Sequence, residues 1–199
     1  ESLALLGDSF ETEVLQTYRQ ASSTVLKARL ASGTRRQPLR VLDVGAGVGY
    51  DLRYLARALS DACWEAGLSS LGEELQVIAV EPNVHAWDSL RTEFSRWLQS
   101  APAPTLQSLP QAAHGISKQV HAAPMQECSL ELSTSLEDIP GASCDLVILQ
   151  RVLCCVASPA DLLREIRQAL RPGGVLLFIE HVAADPASAP VMSSAQRLL

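Results

Sequence analysis

The stretch Val41-Leu42-Asp43-Val44-Gly45-Ala46-Gly47-Val48-Gly49 decides the fold. Val41 to Val44 is apolar except for Asp43 and reads as a short buried strand. Glycines at alternating positions follow at once, and then the spacing changes. Leu52, Leu55, Ala56 and Leu59 share one face of a helix predicted over 50–59. A strand that ends in glycines and opens a helix presents backbone to whatever sits there. The helix start adds unpaired N–H groups and the positive end of a dipole. Such a turn is a cradle for a nucleotide-like ligand.

The same alternation continues on both sides of this unit. Asp8 to about Leu30 predicts an amphipathic helix, with Phe10, Val14 and Tyr18 recurring every four residues. Packing on the sheet edge is the plain role for it, and a lid over the ligand is the functional one. Val77 to Val80 predicts a second buried strand that closes on Glu81-Pro82. Val84 to Leu98 follows as a helix with Trp87, Leu90 and Phe94 on one side. Ser100 to Gly115, with Pro102, Pro104 and Pro110, predicts a loop or insertion. A weak third strand is expected over Lys118–Ala123, and Pro124–Pro140 is expected to be irregular, with Leu130, Leu132 and Leu136 covering a short helix.

Asp145 to Gln150 predicts the next strand. Ser158-Pro159 then opens a helix as N-cap and first position. Its buried stripe is expected to be Leu162, Leu163, Ile166 and Leu170. Arg171-Pro172-Gly173-Gly174 ends it, and Val175 to Ile179 forms a fifth strand before Glu180-His181. Strands alternating with helices imply a parallel sheet with right-handed crossovers. In such sheets ligands bind where the strands end. The glycine turn, Glu81, Met125-Gln126 and Gln150 to Leu153 therefore converge on one crevice.

Composition narrows the classes. The chain has 199 residues, 47% hydrophobic and 19% charged, as one globular α/β domain requires. A net charge of −6 makes nucleic acid an unexpected partner. The chain does not start with Met, so a longer parent protein is expected. No apolar run approaches the roughly 18 residues that span a bilayer. Cys63, Cys128, Cys144, Cys154 and Cys155 show no zinc spacing and read as reduced thiols, so no metal site is expected. That usage suits a cytoplasmic or cytosol-facing location.

Several stretches together resemble class I S-adenosylmethionine (SAM) methyltransferases. Asp43 to Gly49 is similar to their first motif, and Glu81 to their acidic residue after strand two. Cys144-Asp145-Leu146-Val147 resembles the start of strand four. Leu170-Arg171-Pro172-Gly173-Gly174 resembles their late helix–turn–strand signature. Within that class, Val152-Leu153-Cys154-Cys155-Val156 and Phe178 to Ala184 resemble the branch that includes membrane-associated alkyl thiol S-methyltransferases. The resemblance covers residues 38–183. It implies a Rossmann-like, doubly wound, mostly parallel α/β sheet that lacks the family's C-terminal strand hairpin in this fragment. It also implies a domain layout of a helix and linker at 1–37, a SAM-binding core at 38–184 and the start of a truncated part at 185–199.

The resemblance carries roles for particular residues. SAM is the implied cofactor and a small molecule, a thiol among the candidates, the implied methyl acceptor. Membrane association is implied only through a segment absent from this chain. An ionised Glu81 can accept from two ribose hydroxyls at once. Asp43, a carboxylate in an apolar strand, is expected to hold the methionine end. Gly45, Ala46 and Gly47 let the backbone approach the ligand, whereas Gly49 serves packing. Met125 and Gln126 are expected beside the adenine, with Glu127 as substitute for the acid usual there. Gln150 is expected beside the methionine part. No catalytic residue is assigned: Cys154 and Cys155 read as small packing residues, and His181 as a turn residue. Two other functions remain open, a nicotinamide-dependent dehydrogenase and an inactive SAM-binding module. Against the first, the spacing is not GxGxxG, and the acid lies roughly thirty residues past the turn rather than about 20.

Overall fold

A computed structural model describes residues 2–33, 37–66, 75–100 and 128–180. The chain runs α1 (Ser2–Ser32), β1 (Leu39–Val44), α2 (Leu52–Glu65), β2 (Leu75–Val80), α3 (Trp87–Ser100), β3 (Cys128–Ser133), β4 (Cys144–Gln150), α4 (Pro159–Ala169) and β5 (Leu170–Ile179). The strands form one sheet in the order β3-β2-β1-β4-β5, and every neighbouring pair is parallel. This is the doubly wound α/β arrangement. The chain leaves β1 in one direction and returns to β4 on its other side, so the strand order reverses between β1 and β4.

Both sheet faces are covered, which is why the central strands are nearly all apolar. On one face Val41, Val77, Leu146 and Ile148 meet Val14, Tyr18 and Val25 of α1, Leu55 and Leu59 of α2, and Phe94 and Trp97 of α3. On the other, Leu42, Ile78, Val147 and Leu149 meet Ile139 and Ile166. The helix predicted over 8–30 is thus real and longer. It lies on the sheet face beside α2 rather than on the edge.

At α4, Ser158 accepts a hydrogen bond from Asp161 N and Pro159 occupies the first position. Its stripe is narrower than expected, since Ile166 is buried while Leu163 faces outward. The Arg171-Pro172-Gly173-Gly174 turn is folded into β5 as an irregularity. Leu170 pairs with Cys144 and Val175 with Leu146, so the four residues between them bulge out. A Cβ on Gly174 would lie 3.0 Å from the carbonyl oxygens of Arg171 and Cys144, so no side chain fits that bend.

The third strand differs from expectation. The stretch Lys118–Ala123 lies outside the described residues. The strand beside β2 is Cys128–Ser133, inside the segment expected to be irregular. Its alternation Ser129-Leu130-Glu131-Leu132-Ser133 is the period of two that a strand with one covered face shows. Reading the same leucines at helical spacing put them in the wrong element. Leu136 does fall in a single 3-10 turn, Leu136–Asp138.

The opposite end of the sheet is fixed by charge. Asp145, in β4, is 2% exposed. Its carboxylate accepts from Arg29 of α1 at 2.9 Å, Arg171 at 2.7 Å and the Arg40 backbone at 2.9 Å. Arg29 also donates to the carbonyls of Gln37 and Pro38. A buried carboxylate needs such partners, and here they tie α1, β1, β4 and β5 together.

Candidate functional site

The carboxyl ends of β1, β2 and β4 meet in one crevice. Gly45, Gly47 and Gly49 all have positive φ, between +54° and +80°, so the turn after β1 curls in a way L side chains resist. Gly45 N and Ala46 N donate to the Val80 carbonyl at 2.8 and 3.3 Å, joining the turn to the end of β2. A Cβ on Gly45 would stand 2.6 Å from a Val152 methyl group, whereas one on Gly47 would meet open space. Gly45 therefore permits contact with the β4 side, and Gly47 faces the crevice. Gly49 packs against Leu52, Leu90 and Glu93, as expected for a helix–sheet contact.

Glu81 leaves β2 and turns toward the glycines. Its Oε2 accepts from Gly47 N at 2.8 Å and its Oε1 from Asn83 N at 2.8 Å. Its own N–H donates to Ser133 O of β3, and its carbonyl accepts from the Trp87 indole. Both carboxylate oxygens are aimed by backbone, yet each keeps a further lone pair for a ligand hydroxyl.

Asp43 lies deeper, 6% exposed. Burial first, then the neighbouring charges of Asp51 and Glu81, push its carboxyl up to about 7. Among the described residues it receives no hydrogen bond. Asp51, at the start of α2, is also raised, chiefly by burial, while Arg151 at 3.6 Å opposes the shift. The crevice thus holds three carboxylates around one glycine turn, and the guanidiniums of Arg151 and Arg53 act on Asp51 alone among them.

Gln150 is buried at the end of β4. Its Oε1 accepts from Tyr18 Oη of α1 at 3.1 Å, and its side chain lies close enough to Asp51 to counter part of the rise in that carboxyl. Tyr18 is 1% exposed. Burial first, then Asp43, hold its phenol well above the usual range, so it acts as a donor. Arg151 follows with φ of +57°, a strained value for a residue with a side chain. The next two N–H groups, Val152 and Leu153, donate to Glu180 Oε1 at 2.8 and 2.9 Å.

Asp43, Gly45, Ala46, Gly47, Glu81 and Gln150 therefore come together as the sequence predicts. Met125, Gln126 and His181 lie outside the described residues. The premise that placed Met125 and Gln126 after strand three does not hold, because the residues after β3 are Thr134 and Ser135. Tyr18, Asp51 and Glu180 escaped the sequence reading. Glu180 carried a usable signal: like Glu81, it is a carboxylate directly after an apolar strand. Tyr18 carried none, since a helix residue reaching under a strand end looks like any core aromatic.

A groove of about 810 Å³ runs between α1, α2 and α3 and touches Gly49 and Tyr50. It is not the crevice. Arg19 in it pairs with Asp61, Arg53 with Glu11 and Arg96 with Glu93, as on a solvated charged face.

Comparison with known proteins fits this geometry. A family model described as a methyltransferase domain matches residues 15–198. The human thiol S-methyltransferase TMT1B is 50% identical over 48 residues, 24% of this chain and 20% of that protein. The human thiol S-methyltransferase TMT1A is 41% identical over 51 residues, 26% and 21% of the two chains. The aligned part of the chain thus spans about a fifth of the length of the curated relatives it matches. Among solved structures, a SAM-dependent methyltransferase from Aquifex aeolicus aligns with a TM-score of 0.47 and 15% identity, covering 80% of this chain and 65% of that one. With the family model spanning most of its length and strand order 3-2-1-4-5 behind the glycine turn, this chain belongs to the class I SAM-dependent methyltransferases.

Proposed function

We propose that the crevice holds SAM between the glycine turn and Glu81 and passes its methyl group to a small-molecule acceptor, with thiols the favoured class. The observation that carries this is Asp43: a buried carboxylate without a hydrogen-bond donor among the described residues, beside two more carboxylates. Such a group lacks a partner, and a sulfonium or ammonium supplies one. An anionic ligand would leave it worse off.

Asp43 and Gln150 take the methionine end in this reading. Gly45, Ala46 and Gly47 pass beneath the ligand, and Glu81 accepts from the ribose hydroxyls. For the adenine we assign the turn after β3 in place of Met125 and Gln126. Ser133 Oγ closes that turn by donating to the Ser135 carbonyl or the Asp138 carboxylate. The adjacent Thr134 is exposed at the rim. SAM supplies an activated methyl group on a sulfonium, so the protein must align the acceptor and exclude water. A thiol reacts as its thiolate and asks for no elaborate base. The short identities with TMT1B and TMT1A support the thiol class.

Calorimetry tests the reading. S-adenosylhomocysteine is expected to bind with micromolar affinity, and Glu81→Ala to weaken it at least tenfold. A panel of small alkyl thiols, amines and phenols is expected to show transfer to the thiols. No nucleoside binding by the full-length protein overturns the proposal. Binding without transfer to any acceptor leaves a SAM-binding module instead.

A further inference from the structure

Cys154 and Cys155 lie just past Val152, the residue that packs on Gly45. In an extended strand, neighbouring side chains point to opposite faces. Here Leu153–Cys155 form a 3-10 turn closed by Cys155 N donating to the Val152 carbonyl at 2.8 Å. The turn swings both thiols to one side. Their sulfurs are 3.6 Å apart, and both residues are exposed. By contrast Cys63 and Cys144 are buried and Cys128 is half-buried.

The separation discriminates between chemistries. A disulfide needs sulfurs about 2.0 Å apart. Two sulfurs bound to one pyramidal trivalent centre by bonds of about 2.3 Å at roughly 100° stand about 3.5 Å apart. The pair therefore sits near a chelating bite. A structural metal ion would ask for four ligands, and no group of three or more ligating side chains gathers among the described residues. A monosubstituted trivalent arsenical needs only two. We infer that Cys154 and Cys155 form a two-sulfur site for a monosubstituted trivalent arsenical in the turn that follows Val152. Its hydrogen bond with the Cys155 sulfur holds the Cys154 thiol above its ordinary range. With phenylarsine oxide, two As–S bonds form. The oxide oxygen leaves as water with both thiol protons, and arsenic stays trivalent. The inference does not rest on SAM binding.

The test uses the full-length protein, reduced and freed of reductant, titrated with phenylarsine oxide and read by intact mass. One adduct per native chain is expected, removed by a dithiol but not by an equal concentration of a monothiol. Cys154→Ser and Cys155→Ser, both at exposed positions, are each expected to weaken the adduct at least tenfold. Absence of an adduct on the native protein, its reversal by a monothiol, or full retention in either variant overturns the inference.

Discussion

At the scale of single residues, the crevice is governed by carboxylates that the fold holds in unfavourable surroundings. Asp43 has the clearest consequence. Its folded-state value of about 7 exceeds the ordinary one because burial penalises its charge. The folded protein therefore binds more protons than the unfolded chain between about pH 4 and 7. Stability from this group is fully present below that window and is lost as pH rises through it. Ligand binding runs the other way. A cationic ligand prefers ionised Asp43, so SAM affinity is expected to climb as pH rises through 7. Asp43→Asn is expected to flatten both profiles. Urea titrations and calorimetry across pH 5 to 8 check the two signs, and a pH-independent affinity in the native protein counts against the role given to Asp43.

At the scale of elements, the glycine turn and α1 act on the crevice from opposite sides. Gly45 has φ of +69° and no room for a Cβ beside Val152. Gly45→Ala is expected to cost about 1–3 kcal/mol. Val152→Ala in the same chain is expected to restore part of the loss, because it removes the clash but not the backbone strain. On the other side, Tyr18→Phe removes the bond to Gln150, a loss of about 1 kcal/mol. It also frees the Gln150 side chain, so SAM affinity is expected to fall several-fold. Thermal unfolding and calorimetry on the same samples separate the two effects.

The elements also show what a sequence carries. The glycine turn and Glu81 were legible because each is a local pattern, a strand end followed by a special residue. β3 was hard to read because Leu132 stands at helical spacing from Leu136 and at strand spacing from Leu130. Tyr18 and Asp51 could not be read, because their roles arise from the distant residues that the sheet order brings beside them.

At the scale of the molecule, the sheet has a working rim and a stapled end. The staple is Asp145 with Arg29 and Arg171, buried far from the crevice along the strands. Removing the carboxylate leaves the Arg29 guanidinium buried without its counter-charge. Asp145→Ala is expected to destabilise the fold by about 3–5 kcal/mol in urea titrations. A smaller loss is expected from Arg171→Lys, which keeps the charge and gives up the fork geometry. No helix among the described residues is long and apolar enough to cross a membrane. Alternation of strands and helices made the parallel sheet legible from sequence. The staple was not, since its members lie 116 and 26 residues apart.

The central claim is that the carboxyl ends of β1, β2 and β4 hold the SAM molecule. Hydrogen exchange of the full-length protein with and without S-adenosylhomocysteine tests it most directly. The account predicts slowed exchange over residues 45–51, 81–87 and 150–153, with the Arg29–Asp145 end unchanged. Ligand-induced protection confined to other segments, with none in these three, contradicts it.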